Sequence, residues 1–233
     1  MNKALKFILS ISLILLCCWV IFQASKVALA DISHYPLKYF IEKLKPTELP
    51  EIETLEKLQT KIQYSIDLRP NSAEYLEYIG RIYYLKALKQ QRATSAEVRN
   101  TAQNSMRLAL DAHVKATKLR PKWPYSWANL ALIKSHLEEF DQQYLSAIDL
   151  AIKNGAWEIA SNNAISQAGF NGWHRLDDNY KTKVVAALER IYQQRKSTAI
   201  GILNYYRLQE EVCSLIVDES FLKEKSCELR AES

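Results

Sequence analysis

The stretch "KLRPKWPYSWANLALIK", Lys118 to Lys134, sets two prolines and two tryptophans against the start of an apolar run. Upstream, "DLRPNSAEYLEYIGRIYY", Asp67 to Tyr84, again places Leu-Arg-Pro ahead of a helix-forming segment. Six residues after each proline stands a large apolar side chain, Leu76 after Pro70 and Trp127 after Pro121. Pro121 ends one helix, and Pro124 suits the first turn of the next, where a missing N–H costs nothing. Trp127 then wedges between the two. The stretch therefore reads as a recurring junction between helices, with its aromatic residues used for packing.

The pattern extends outward from this junction. Ile52, Leu55, Leu58, Ile62 and Ile66 recur at three- and four-residue steps and predict a helix ending at Leu68. Asn71 and Ser72 cap the next helix, with Glu74 completing a capping box, and its apolar positions include Leu76, Ile79, Ile82, Tyr83 and Leu88. Thr94 and Glu97 form a second box and open a helix over 95–118 that buries Val98, Met106, Ala109, Leu110, His113 and Ala116.

These positions match the tetratricopeptide pattern in one unit: Leu76, Ile79-Gly80 and Tyr83, then Ala109, His113 and Pro121. Pro70 and Pro121 lie 51 residues apart, against about 34 in the pattern. The excess falls between the two helices and predicts that both are lengthened around 90–93. A second, partial unit runs through Trp127, Leu130-Ala131 and Lys134 to Phe140-Asp141 and a helix ending near Gly155, which suits a left-handed cap. Further helices are predicted over 158–168, 178–194 and 198–213, with "GFNGW" as a turn, and they cap the array.

The expected fold is all-α. An N-terminal transmembrane segment (1–30) and a juxtamembrane connector (31–50) precede tetratricopeptide-like helical repeats (51–157) and a helical C-terminal cap (158–233). Only five glycines and six prolines in 233 residues agree with helices over strands, which need frequent turns.

The formal charge of +5 is concentrated at the start. Lys3, Lys6 and Lys26 precede Asp31, and the remainder carries 28 basic against 26 acidic side chains. That balance is too even to predict nucleic-acid binding, which would show as a dense basic stripe.

From Phe7 to Ser25 the chain runs 19 residues without a charge or proline, about 29 Å of helix and one hydrocarbon core. A signal peptide cleaved after "ALA" at 28–30 is the alternative. The length of the run, and Lys26 between it and that site, favour an uncleaved anchor. Lys3 and Lys6 predict a cytoplasmic N-terminus and an exported domain, although Lys26, Lys38, Lys43 and Lys45 pull the other way. Within 31–50, Tyr35, Tyr39 and Phe40 suit either a membrane interface or a plain first helix. Cys17 and Cys18 read as small apolar membrane residues, since Leu16 stands where a lipoprotein signal needs a small side chain.

In an oxidising compartment, Cys213 and Cys227 are either bridged or two unpaired thiols. A bridge would close a 15-residue loop and stabilise by about 3 kcal/mol.

The sequence contains no Gly-rich phosphate loop, no Gly-x-Ser-x-Gly elbow and no His-Glu-x-x-His. Glu138, Glu139 and Asp141 read as solvated acids at a helix end, His113 as an interior side chain, and His34 and His174 as turn residues. No enzyme, cofactor or metal is expected. Repeat scaffolds act through the exposed face of their first helices. Helical spacing places Glu77, Arg81 and Tyr84, then Tyr125, Leu132, Ser135 and His136, on that candidate partner-binding face. Stacking of sugar on Trp123, Trp127, Trp157 and Trp173 is a further possibility, opposed by their positions at helix junctions.

The run "LRPKWPYSWANLALIK", followed by "EEFDQQYLSAIDLAIKNGAWE" and "AGFNGWHRL", resembles the VpsP-type family of polysaccharide-biosynthesis proteins. It is also similar to the periplasmic tetratricopeptide tails of O-antigen ligase and polymerase-like proteins. The resemblance covers about residues 1–210 and is clearest over 67–176. It implies a single-pass protein of the bacterial inner membrane, anchored through residues 7–25, with a periplasmic scaffold. Its expected partner is a protein of the exopolysaccharide polymerisation or export machinery. The many-spanning membrane domain of the polymerases is absent, so no catalytic residue carries across. A general envelope assembly factor, chaperone-like and unrelated to polysaccharide, is the alternative.

Overall fold

The structure, a computed structural model, describes residues 3–44, 49–92 and 95–215. The described residues are α-helical, with one 3-10 turn and no strand.

The first helix, α1 (Lys3–Lys43), is a single element of 41 residues, about 60 Å long. Its apolar N-terminal half is exposed and long enough to cross a membrane. Its C-terminal half turns Ala30, His34, Leu37 and Ile41 into the domain. The expected connector over 31–50 is thus, as far as residue 43, a continuation of the apolar helix and the first packed helix. Pro36 sits inside it on the exposed face. An interior proline costs about 3 kcal/mol, and burial of Leu37 and Ile41 on either side of the next turn offsets it.

Two helices follow, α2 (Ile52–Leu68) and α3 (Ala73–Gln91). Leu55, Leu58 and Ile62 of α2 are buried with Leu37 and Ile41 of α1 and with Tyr75, Tyr78 and Ile82 of α3. Ser72, rather than Asn71, caps α3, its side chain accepting from the Tyr75 backbone N–H. The next helix, α4 (Ala96–Leu119), packs extensively along α3. With 19 and 24 residues, α3 and α4 are lengthened as the proline spacing requires. Thr94 of the expected capping box lies outside the described residues.

The helix α5 (Pro124–His136) opens on Pro124 in its first turn, as expected. The Trp127 indole N–H donates to the Pro121 carbonyl at 2.8 Å, and so closes the α4–α5 turn. α5 pairs with α6 (Gln142–Gly155) and with α7 (Ile159–Asn171). Gly155 lies in ordinary helical backbone and not in a left-handed cap. Its requirement is space, because a Cβ there would come within 2.5 Å of the Pro124 ring.

Only part of "GFNGW" is a turn. Gly169 ends up inside α7, where a Cβ would meet Val184 at 2.2 Å, and Trp173–Arg175 forms the 3-10 turn. α8 (Asp178–Gln194) begins with Asp177 accepting from the Tyr180 N–H. The expected single helix over 198–213 is divided into α9 (Lys196–Tyr206) and α10 (Gln209–Leu215), with Arg207 in the left-handed region between them. Ala128, Leu132, Tyr144, Ile148, Ile165, Val184, Leu188 and Leu203 join α5–α9 in one core.

Candidate partner-binding face

The seven residues expected on one exposed face are distributed differently. Glu77, Leu132 and Ser135 are buried. Tyr84 is largely buried, its hydroxyl 3.1 Å from Nε2 of a mostly buried His136. Arg81 and Tyr125 are half-buried, as Tyr84 and His136 are by surface exposure. The physical reason is packing from other helices: Glu77 and Tyr84 meet side chains at and within α5, and α6 and α7 pack against α5 itself. Ser135 Oγ donates to the Leu132 carbonyl at 2.7 Å and accepts from Asn171 at 2.9 Å, which ties α5 to α7.

The residues that do assemble lie at the α3–α5 junction. The Glu77 carboxylate accepts from the Trp123 indole N–H at 3.0 Å and from the Ser126 hydroxyl at 3.3 Å. Burial pushes its pKa above the ordinary glutamate value, against the opposing pull of Arg81 and of these hydrogen bonds. Arg120 stacks over the Trp123 ring at 4.1 Å, and the Tyr125 hydroxyl donates to the Glu158 carboxylate. Arg81 lies 5.8 Å from the centre of the Tyr78 ring. The result is a ridge of arginine and aromatic side chains over a held carboxylate. This chemistry suits recognition, since Arg and aromatic side chains carry much of the energy in protein interfaces.

Beneath this junction His113 is wholly buried, and neither ring nitrogen has a hydrogen-bond partner. Desolvation lowers its pKa to about 3, so the ring is neutral. His34 is not a turn residue. It is buried in α1 beside the Tyr75 and Tyr78 rings, at 5.0 and 4.6 Å. His174 is exposed in the 3-10 turn.

The acids at the end of α5 are not simply solvated. Lys134 is 3% exposed and bridges Glu139 and Asp141, each at 2.9 Å, while Arg107 also pairs with Glu139. Burial alone would raise the Glu139 pKa, but hydrogen bonds from Arg107 and Lys134 hold it below the ordinary value. No group of three or more His, Cys, Asp or Glu side chains is placed to hold a metal among the described residues.

Trp173 is buried, Trp123 and Trp127 are half-buried, and Trp157 is 68% exposed. The junction argument fails for Trp157 because it follows the end of α6, beyond the cover of α5. Cys213 is disulfide-bonded, and Cys227 lies outside the described residues. Cys17 and Cys18 are free and exposed on the apolar half of α1.

Compared with protein-family models, with curated proteins and with solved structures, the chain finds no match in any of the three.

Proposed function

We propose that the chain is a membrane-anchored scaffold of the bacterial inner membrane. Its periplasmic helical domain holds a protein of the exopolysaccharide polymerisation or export machinery. The observation that carries this reading is α1, whose exposed apolar half runs without interruption into the packed core. The resemblance of 67–176 to polysaccharide-biosynthesis proteins is the ground for choosing that pathway. The Arg81, Trp123 and Tyr125 ridge is the contact surface.

The test is capture of the tagged full-length chain from its native envelope, with photo-crosslinkers at 81 and 125. Crosslinks to a polymerase or export component are expected, with loss of polymer in a deletion strain. Arg81→Ala should abolish the crosslink from position 125, and because Arg81 also opposes the desolvation of Glu77, a thermal melt of the variant checks that it remains folded. Normal polymer in the deletion strain, with capture of secretion or cell-wall proteins instead, would sink the proposal in favour of a general envelope assembly factor.

A further inference from the structure

The end of the apolar segment is held against the domain at one level. Ser65 Oγ donates to the Ala30 carbonyl at 2.9 Å, the Tyr75 hydroxyl donates to the Asp31 carboxylate, and Arg69 lies 3.8 Å from that carboxylate. Ser65 closes α2 and Tyr75 opens α3, so α1 leaves its apolar half beside the α2–α3 turn.

The α4–α5 and α6–α7 turns continue the same rim. Leu119 and Arg120 line one cleft of about 300 Å³ together with Asp31, Arg69 and Tyr75. Asn154, near the end of α6, donates to the Pro121 carbonyl at 3.4 Å, and Tyr125 reaches Glu158.

This rim is amphipathic in composition. Leu119 is 43% and Trp157 68% exposed. Lys118, Arg120, Lys122 and Lys153 are exposed around them. The nearby acids are engaged within the protein: Asp31 with Arg69 and Tyr75, Asp67 with Gln63, and Glu158 with Tyr125. Indole at the headgroup level and basic side chains over acidic lipid are the ordinary chemistry of a protein resting on a bilayer.

We propose that this rim lies on the surface of the membrane that α1 crosses. Trp157 and Leu119 enter the headgroup layer, and Lys118, Lys122 and Lys153 meet acidic headgroups. The proposal rests on α1 spanning the bilayer, and the experiment reads that condition separately through Trp19.

The full-length protein is reconstituted into phosphatidylcholine vesicles with and without phosphatidylglycerol, using acyl chains brominated near the headgroup to read Trp157 and, in parallel, near the chain end to read Trp19, which is exposed on the apolar half of α1. Tryptophan emission is compared among wild type, Trp157→Phe and Trp19→Phe. The Trp157 contribution should fall by about half in the acidic vesicles, as expected for an interfacial indole. It should also be shielded from aqueous iodide. Reversal of Lys118, Lys122 and Lys153 to Glu should restore Trp157 emission and leave Trp19 quenched.

A Trp157 contribution that is unquenched and open to iodide, in vesicles where Trp19 is quenched, overturns the rim contact. Quenching equal in both lipids overturns the role of the basic side chains. An unquenched Trp19 overturns the anchor on which the proposal stands.

Discussion

A methyl group added to Gly80 would lie 2.7 Å from Nε2 of His113 and 3.3 Å from the Ala112 side chain. The contact explains why α3 and α4 approach so closely, and why glycine stands in the middle of a helix where alanine is intrinsically better by about 1 kcal/mol. Gly80→Ala should therefore destabilise by about 1–3 kcal/mol, as overpacking does. His113→Ala opens the space the methyl needs, so the double variant should be more stable than the sum of the single changes. A double-mutant cycle from thermal denaturation in detergent reads this coupling. Strict additivity would show that the ring and the glycine do not constrain each other.

His113 also makes the fold acid-sensitive. Its pKa is depressed from about 6.5 unfolded to about 3 folded by burial. Its contribution is complete above the unfolded value and is lost as pH falls from there toward 3. His113→Leu removes the titration and an unpaired polar ring from the interior. The difference in melting temperature between variant and wild type should widen in the variant's favour from pH 7 to pH 4. A constant difference across that range would count against a neutral buried ring.

Glu77 titrates with the opposite sign. Because burial raises its folded pKa, its contribution is most favourable below the ordinary glutamate value and declines as pH rises through the raised one. Glu77→Gln keeps an acceptor for Trp123 and Ser126 and removes the charge. The variant should gain on wild type between pH 4 and pH 7 in urea or thermal melts. A loss on that interval would mean that Arg81 and Arg120 stabilise the carboxylate more than burial disfavours it.

The turn after α5 holds a residue in an unfavourable conformation. Glu138 has φ of 58°, and the bonds Glu139 N–H to Lys134 carbonyl (2.9 Å) and Glu138 N–H to Ser135 carbonyl (3.2 Å) form a Schellman motif. A left-handed non-glycine residue costs about 1–2 kcal/mol, so Glu138→Gly should stabilise by about 1 kcal/mol after the extra unfolded-state freedom of glycine. By contrast, Lys134→Met takes the ion-pair partner from Asp141 and one of two from Glu139, which keeps Arg107. It should cost about 2 kcal/mol, less than the loss of a fully buried partner because Asp141 is more than half exposed. Equilibrium unfolding of the two variants would separate the effects, and equal stabilities would contradict both arguments.

What the sequence revealed and what it hid follow from the range of the interactions. Asp178–Gln194 is a helix with the expected bounds, since its cap and apolar positions lie within four residues of one another. The helix predicted over 95–118 is displaced by one residue at each end. Burial of the candidate face is decided by distant segments: Glu77 meets Trp123 46 residues away, and Ser135 meets Asn171 36 residues away. No periodicity within one helix carries that information. The split at Arg207 was equally hidden, because no glycine or proline marks it. Trp157 looked like its junction neighbours, and differs because no later helix covers it.

Pro36 bears on how the apolar half of α1 and the domain move together. A proline before a flexible linker would let the domain swing about its anchor. Here the helix continues past it, and Leu37 and Ile41 bury the next turn in the core. If the apolar half stands in a bilayer, the domain has a set height and azimuth above it, with no free tether to average over. A partner embedded in the same bilayer would then meet the domain by lateral diffusion in two dimensions, at high effective concentration. It would have to present its own binding surface at that height, so the length of α1 acts as a ruler for the complex.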